Sequence, residues 1–326
     1  MTAIARRRPA LVRSARAGVP EAAVRAALAD GGWQRDRTLT TLSGTAVIMV
    51  SAPGGRTGVL KISATEAGTA SLRREHDVLC RLGRDERLGE WRDLLPAPLH
   101  WGDSGGGAYL LTSRLPGRDG RQLPGGMAGG LTRAAFRAIA PLHDHDRTVA
   151  EVDATLLRRW VDEPAARLAE VTRPARAAQV AEALHAGLAG RRMTLGWTHG
   201  DFHPGNVLAS SPERVAGIID WDQARERDLV ATDLAFWIIT VPGTGRRREL
   251  GAQVAARLGA DRCWTPAESR LLAGTTDGDA AACRAVLLLA WLRHVAGNLA
   301  KSSRYARSPL WLRNNVRPVL RQVAGG

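Results

Sequence analysis

Lysine is almost missing from this chain. Of the 46 lysine and arginine residues among its 326, only Lys61 and Lys301 are lysines. Cysteine is scarce as well. Cys80, Cys263 and Cys283 are odd in number, far apart and form no Cys-x-x-Cys pair, which argues against both a disulfide framework and a zinc site. No apolar run reaches the roughly 18 residues of a membrane span, so no membrane role is expected. The N-terminal Arg6, Arg7 and Arg8 lead into Pro9 and a mixed segment with no apolar signal-peptide block. Reduced thiols in a cytoplasmic protein are the expectation.

Acidic residues are in the minority, and the net charge of +14 invites a nucleic-acid reading. The distribution weakens it. Residues 1–50 carry eight basic and three acidic side chains, and residues 301–326 carry six basic and none acidic, so the two ends supply +11 of the +14. Residues 201–250 hold six basic against eight acidic residues. No zinc-finger spacing or RNA-recognition signature is present, and a nucleic-acid partner is disfavoured.

That acidic stretch contains the chain's most informative pattern. His199-Gly-Asp201-Phe-His203-Pro-Gly-Asn206 is followed fourteen positions after Asn206 by Asp220, in Ile218-Ile-Asp220-Trp-Asp222. An aspartate, an asparagine five residues on and a second aspartate after an apolar run place a base beside two hard oxygen ligands for Mg²⁺. Far upstream, Lys61 interrupts the apolar stretch Gly58-Val-Leu-Lys61-Ile. An arginine-rich chain that keeps a lysine there wants a compact ammonium, which suits nucleotide phosphates better than the broad guanidinium fork. Glu75 lies fourteen residues further on, in a helical pattern with Leu72, Val78, Leu79 and Leu82 on one face.

These motifs, in this order, resemble the aminoglycoside phosphotransferase family of small-molecule kinases, with Gly200 where protein kinases carry arginine. The resemblance implies an α+β, bilobal protein-kinase-like fold: an N-terminal five-stranded antiparallel sheet plus helix, and a mostly helical C-terminal lobe. Residues 1–115 would be the nucleotide-binding lobe and 116–326 the catalytic and acceptor-binding lobe. It further implies Asp201 as catalytic base, Asn206 and Asp220 as Mg²⁺ ligands, and Lys61, paired with Glu75, on the phosphates of ATP, with GTP as the alternative nucleotide. Ser113 and Leu115 would meet the adenine at the hinge, with Thr112 at its gate, and Ser43, Gly44 and Thr45 would form the loop over the phosphates. Asp233 would anchor the catalytic loop, which His199 would brace.

Secondary-structure signals fit that layout. A helix is expected over Ala22–Asp30 and strands over Thr38–Leu42, Ala46–Ser51, Gly58–Ile62, Pro98–Trp101 and Ala108–Ser113. Residues 117–130 read as a loop. Helices follow over Leu131–His143, Leu156–Val171, Ala175–Leu188, Leu229–Ile239, Ala280–Ala300 and Leu310–Val323, with only two strands among them, Val207–Ala209 and Val215–Ile219.

The expected activity is phosphorylation of a hydroxyl on a small molecule: an antibiotic, sugar, nucleoside or other natural product. Acceptor candidates are Trp264, Asp277, Asp279, Trp291, His294, Asn298, Lys301 and Tyr305. His294, Asn298 and Lys301 share one helix face, which reads equally as a polar surface stripe. Asp222 is either a supporting group or solvated, and the cluster His143, Asp144, His145, Asp146 reads as a solvated helix cap. Residues 261–326 carry ten basic and four acidic side chains, which favours a neutral or anionic acceptor over a polycation. The alternatives are a catalytically idle kinase-like interaction module and, from His199-x-Asp201-x-His203, a metal-dependent hydrolase. Peptide phosphorylation is disfavoured, because Asp228 follows Asp220 too closely for a long activation segment.

Overall fold

The structure is a computed structural model that describes residues 21–29, 31–40, 45–104, 107–123, 127–241, 249–275 and 279–325. Its first half packs helix α1 (Glu21–Ala29) and α2 (Glu66–Arg84) on a sheet of β1 (Gln34–Thr40), β2 (Ala46–Ala52), β3 (Arg56–Ser63), β4 (Pro98–Ser104) and β5 (Gly107–Ser113). The sheet is antiparallel throughout, in the order β1-β2-β3-β5-β4. Alternation decides which way its side chains point. Ile48, Val50, Leu60 and Ile62 turn into one small core with Val24, Trp33 and Tyr109. Lys61, between two of them, therefore faces the other way.

The second half is built on a larger core. Its elements run β6 (Arg118–Asp119), α3 (Ala128–Asp144), β7 (Thr148–Glu151), α4 (Ala154–Leu157), α5 (Glu163–Ala169), α6 (Pro174–Leu188), β8 (Arg192–Thr198), β9 (Val207–Ser211), β10 (Arg214–Ile218) and β11 (Arg225–Leu229). Then come α7 (Ala231–Thr240), α8 (Leu250–Leu258), α9 (Pro266–Leu271), α10 (Ala280–Lys301), α11 (Ser303–Ala306), α12 (Pro309–Asn315) and α13 (Arg317–Gly325). Two three-stranded sheets, β10-β9-β6 and β11-β8-β7, sit among the helices.

Several sequence expectations need correcting. Among the described residues the C-terminal half has six strands where two were expected. β8 is buried at every position after Arg192, so it shows no alternation to read. β11, Arg-Glu-Arg-Asp-Leu, is mostly charged and takes the start of the expected helix at Leu229. The expected Leu156–Val171 helix is interrupted by a π-helical stretch, Arg158–Asp162, which buries Trp160 and Val161. The last helix divides at Val316. The 117–130 loop contains β6 and the first residues of α3.

One helix among the described residues, α10, is long and apolar enough by length and composition to cross a membrane, which no unbroken apolar run had indicated. Some 61% of its most apolar window is buried inside the protein. Trp291, fully buried, donates from Nε1 to the Asn315 carbonyl at 2.7 Å. α10 thus packs as the central core helix of the second lobe, and that role fixes what its polar face can reach.

Candidate active site

β3 and α2 deliver the first two groups. Thr65 caps α2 by accepting from the Gly68 N–H at 3.1 Å, and Leu72, Glu75, Leu79 and Leu82 form its buried face. A glutamate on an apolar face needs a partner. Lys61 Nζ supplies it, donating to Glu75 Oε1 and Oε2 at 2.7 and 2.8 Å. The same ammonium bonds Asp220 Oδ1, across the two lobes.

Residues 199–206 lie between β8 and β9, where the backbone has few ladder partners of its own. Asp233, in the first turn of α7, provides them. Its carboxylate accepts from the His199 N–H at 2.7 Å and the Gly200 N–H at 2.9 Å, and meets His143 Nε2 at 3.1 Å. A carboxylate is also favoured at that helix end by the dipole. His199 Nε2 donates to the Ile219 carbonyl at 2.9 Å, and its Nδ1 accepts from the Asp201 N–H at 3.3 Å. With both ring nitrogens so used, His199 is not a metal ligand, which removes the hydrolase reading. Gly200 has φ of 79° and passes so close to the Gln223 carbonyl that a Cβ would lie 2.2 Å from it. Glycine is required there.

Asn206 Nδ2 donates to the Asp201 carbonyl at 3.0 Å and lies 3.4 Å from Asp201 Oδ2, which leaves the amide oxygen facing elsewhere. Asp220 sits at φ 65°, ψ 64° in the left-handed region, an uncommon geometry for a non-glycine residue. The amide oxygen of Asn206 and the carboxylate of Asp220 are hard oxygen donors of the kind Mg²⁺ takes, so the residues fit that ion.

α10 closes the site from the third side. His294 Nδ1 is 3.5 Å from Asp201 Oδ1, and Asn298 Nδ2 meets His294 Nε2 at 2.9 Å. On the other flank His203 Nε2 is 3.8 Å from Asp201 Oδ2, while its Nδ1 accepts from the Gly205 N–H at 2.9 Å. Phe236 packs against both imidazoles, its ring centroid 4.7 Å from that of His294 and 5.9 Å from that of His203. Lys301 Nζ donates to Asp222 Oδ1 at 3.1 Å.

Charges are settled by these pairings. Burial opposes ionisation of Asp201, but the His294 hydrogen bond and the nearby His203 and Lys301 hold its carboxyl well below the usual range. Burial likewise opposes charge on Lys61, and Asp220 and Glu75 outweigh it, keeping the ammonium above its ordinary value. Lys301 is raised in the same way against burial, by Asp222, Asp201 and Asp220. His203 goes the other way: burial pushes it down to about 4, so the ring is neutral near pH 7.

Of the expected site residues, Lys61, Glu75, Asp201, Asn206 and Asp220 form one constellation. Ser113 and Leu115 lie at the lobe junction. The Ser113 N–H already donates to the Ala97 carbonyl at 2.8 Å, and the Leu115 side chain packs over Gly217. Thr45 leads into β2, while Ser43 and Gly44 lie outside the described residues, as does the acceptor candidate Asp277. Trp264 and Trp291 are core residues, and Asp279 caps α10 and pairs with Arg191 at 2.6 Å. His294, Asn298 and Lys301 face the site, so the surface-stripe reading fails. Asp222 and His143 are buried, and the His145 side chain is only 8% exposed and bonded to Asp85, which corrects the solvated-cap reading for the two histidines.

Sequence reasoning missed Ser71 and Arg74 on α2, Phe236 on α7, and Arg121, whose guanidinium covers Gly205. For Ser71 a signal existed: it stands four residues before Glu75, on the same helical face. A cavity of about 320 Å³ lined by Asp146, Thr148, Trp197, Glu226 and Arg227 lies apart from the constellation.

Comparison with known proteins agrees with the geometry. A model of the APH phosphotransferase enzyme family matches residues 43–272, more than half of the chain. No curated protein matches significantly. Among solved structures, a thermostable mutant of the aminoglycoside phosphotransferase APH(4)-Ia, in complex with ADP and hygromycin B, is 15% identical with a TM-score of 0.61, covering 93% of this chain and 99% of its own. APH(3'')-Id from Streptomyces rimosus is 21% identical with a TM-score of 0.53, covering 82% and 95%. At such identities the likeness establishes the kinase-like fold.

Proposed function

The chain belongs to the APH phosphotransferase enzyme family, and from that premise we propose that it is an ATP- and Mg²⁺-dependent O-phosphotransferase acting on a hydroxyl of a small molecule. The observation that carries the reading is the Lys61 ammonium held between Glu75 and Asp220, with Asp201 and Asn206 beside them. An idle interaction module has no physical need to bury this charged set. We assign residues 1–115 to a nucleotide-binding lobe and 116–326 to a catalytic and acceptor lobe. A cytoplasmic setting, where Cys80, Cys263 and Cys283 stay reduced, fits three cysteines that form no disulfide.

In this reading Lys61 holds the nucleotide phosphates, positioned by Glu75. Asn206 and Asp220 would hold Mg²⁺, which when bound would neutralise phosphate charge. Asp201 orients the acceptor hydroxyl and takes its proton as the acceptor oxygen bonds to the γ-phosphorus and the bond to the β-phosphate oxygen breaks. His203 and His294 flank Asp201, hold its carboxylate in one orientation and, with Phe236, wall the acceptor side. Most of the catalysis is positioning, as phosphoryl transfer requires.

The neighbours' aminoglycosides are polycations, whereas on this acceptor side the Lys301 ammonium stands near Asp201. A neutral or anionic hydroxylated acceptor suits that face. Thermal shift with ATP or GTP and Mg²⁺ tests the first claim, since selective stabilisation follows nucleotide binding. A kinetic screen spanning kanamycin-like polycations, sugars and nucleosides tests the second. No nucleotide stabilisation sinks the kinase reading, and efficient turnover of polycations alone sinks the acceptor assignment.

A further inference from the structure

Asp222 stands two residues beyond the proposed metal ligand Asp220, yet its contacts point away from a metal role. It is buried, at 7% exposure. Oδ2 accepts from Ser71 Oγ at 2.5 Å and from Gln223 Nε2 at 3.1 Å, and Oδ1 accepts from Lys301 Nζ at 3.1 Å. Its carbonyl accepts from Arg74 Nε at 3.4 Å. Ser71 and Arg74 belong to α2, and Ser71 lies one helical turn before Glu75 on the same face. A closed ring results: Lys61 to Glu75, along α2 to Ser71, across to Asp222, and back through the turn to Asp220 and Lys61. Lys301 grips this ring from α10. The only two lysines of the chain therefore hold the two aspartates of one turn, one lysine from each lobe.

We infer that Asp222 is the latch that docks α2 onto the Asp220 turn, with Ser71 and Lys301 as its partners, so that Lys61 and Glu75 are set for a nucleotide before one arrives. Ser71, Asp222 and Lys301 are then positioning residues, acting on the nucleotide through Lys61. The inference rests on the kinase reading. Physically it replaces an induced alignment of α2 by a permanent one. Both carboxylate oxygens of Asp222 are already engaged by donors from two other elements. The latch also links the acceptor-side helix to the phosphate-binding lysine through a single carboxylate.

A double-mutant cycle on the intact protein tests it, with the non-hydrolysable nucleotide AMP-PNP and Mg²⁺ as the probe and calorimetric affinity as the readout. Ser71→Ala should weaken binding by roughly five- to tenfold, the loss of one charge-assisted hydrogen bond. Ser71→Thr should restore it. In a Glu75→Gln background Ser71→Ala should have little further effect, because the path through Lys61 is already cut. Melting temperatures taken alongside identify any variant that fails to fold, and Lys301→Gln, expected to weaken binding in the same non-additive way, then stands in for it. Additive losses in the two backgrounds, or wild-type affinity in folded Ser71→Ala and Lys301→Gln, overturn the latch. Asp222→Asn should leave the Mg²⁺ concentration dependence of binding unchanged, and a shift in that dependence would make Asp222 a metal ligand instead. If the parent protein binds no AMP-PNP, the kinase reading fails first and separately.

Discussion

On the side assigned to the nucleotide, Lys61 and Glu75 ride on a strand and a capped helix, and each is placed by the periodicity of the element that carries it. In the second lobe, Asp201, Asn206 and Asp220 sit in turns, and their placement depends on side chains far away in sequence. Asp233 holds the Asp201 loop through two N–H groups at 2.7 and 2.9 Å, and His294 reaches Asp201 from α10. Periodic elements tolerate change at positions off the buried face. Turns held by one carboxylate do not, since removing it leaves several buried donors unpaired at once.

Substitution can break this contrast from either side. The largest effect is expected on the turn side. Asp220→Ala should abolish detectable Mg²⁺-dependent AMP-PNP binding by calorimetry, since it removes the proposed metal ligand and the Lys61 partner together. Next, Asp201→Ala should lower kcat by about 10²–10⁴-fold, the usual worth of a positioned general base. AMP-PNP affinity should change by less than about threefold, because the carboxylate faces the acceptor and not the nucleotide. Matched losses in kcat and nucleotide affinity would erase the separation of roles.

Asp233→Ala should cost about 2–4 kcal/mol of stability, with the buried His199 N–H, the part-buried Gly200 N–H and His143 left without their acceptor, and chemical denaturation measures it. Equal loss from Thr65→Ala at the α2 cap, expected to cost about 1 kcal/mol, would contradict the contrast between turn and helix.

Acid should act through His203. Its folded pKa of about 4 lies below the ordinary 6.5. Between those values the unfolded chain binds a proton that the folded one excludes, so stability is complete above about pH 6.5 and falls as pH drops toward 4, by about 3 kcal/mol at most. His203→Gln should flatten that part of the stability profile. Lys61→Arg should keep the charge and still weaken AMP-PNP binding by about tenfold, because a planar fork cannot meet Glu75 and Asp220 from the same point. An unchanged affinity would show that any cation serves there.

The same contrast explains what could be read from the sequence. Ile48, Val50, Leu60 and Ile62 advertise the first sheet by alternation, and the Asp201, Asn206, Asp220 spacing announces the site. β8 carries no alternation because both its faces are covered, and β11 is too charged to look like a strand. Trp160 lies in a π-helical stretch that no 3.6-residue period describes. His294, Asn298 and Lys301 are legible as one face. That the face meets Asp201 and Asp222 depends on α10 being the core helix, which is a matter of tertiary packing. Asp222 shows the limit most clearly, since its partners Ser71 and Lys301 lie 151 and 79 positions away.

The near-absence of lysine has a practical side. A protease that cuts only after lysine has two targets in this sequence, after residues 61 and 301. In the folded protein one lies in a strand flanked on both edges and the other at the end of a buried helix, with side chains only 14% and 22% exposed. Digestion under native conditions therefore reports on the surroundings of these two side chains. Release of the 25-residue tail 302–326 reports that the Lys301 end has come loose, and appearance of the 61-residue N-terminal fragment reports that the first sheet has opened.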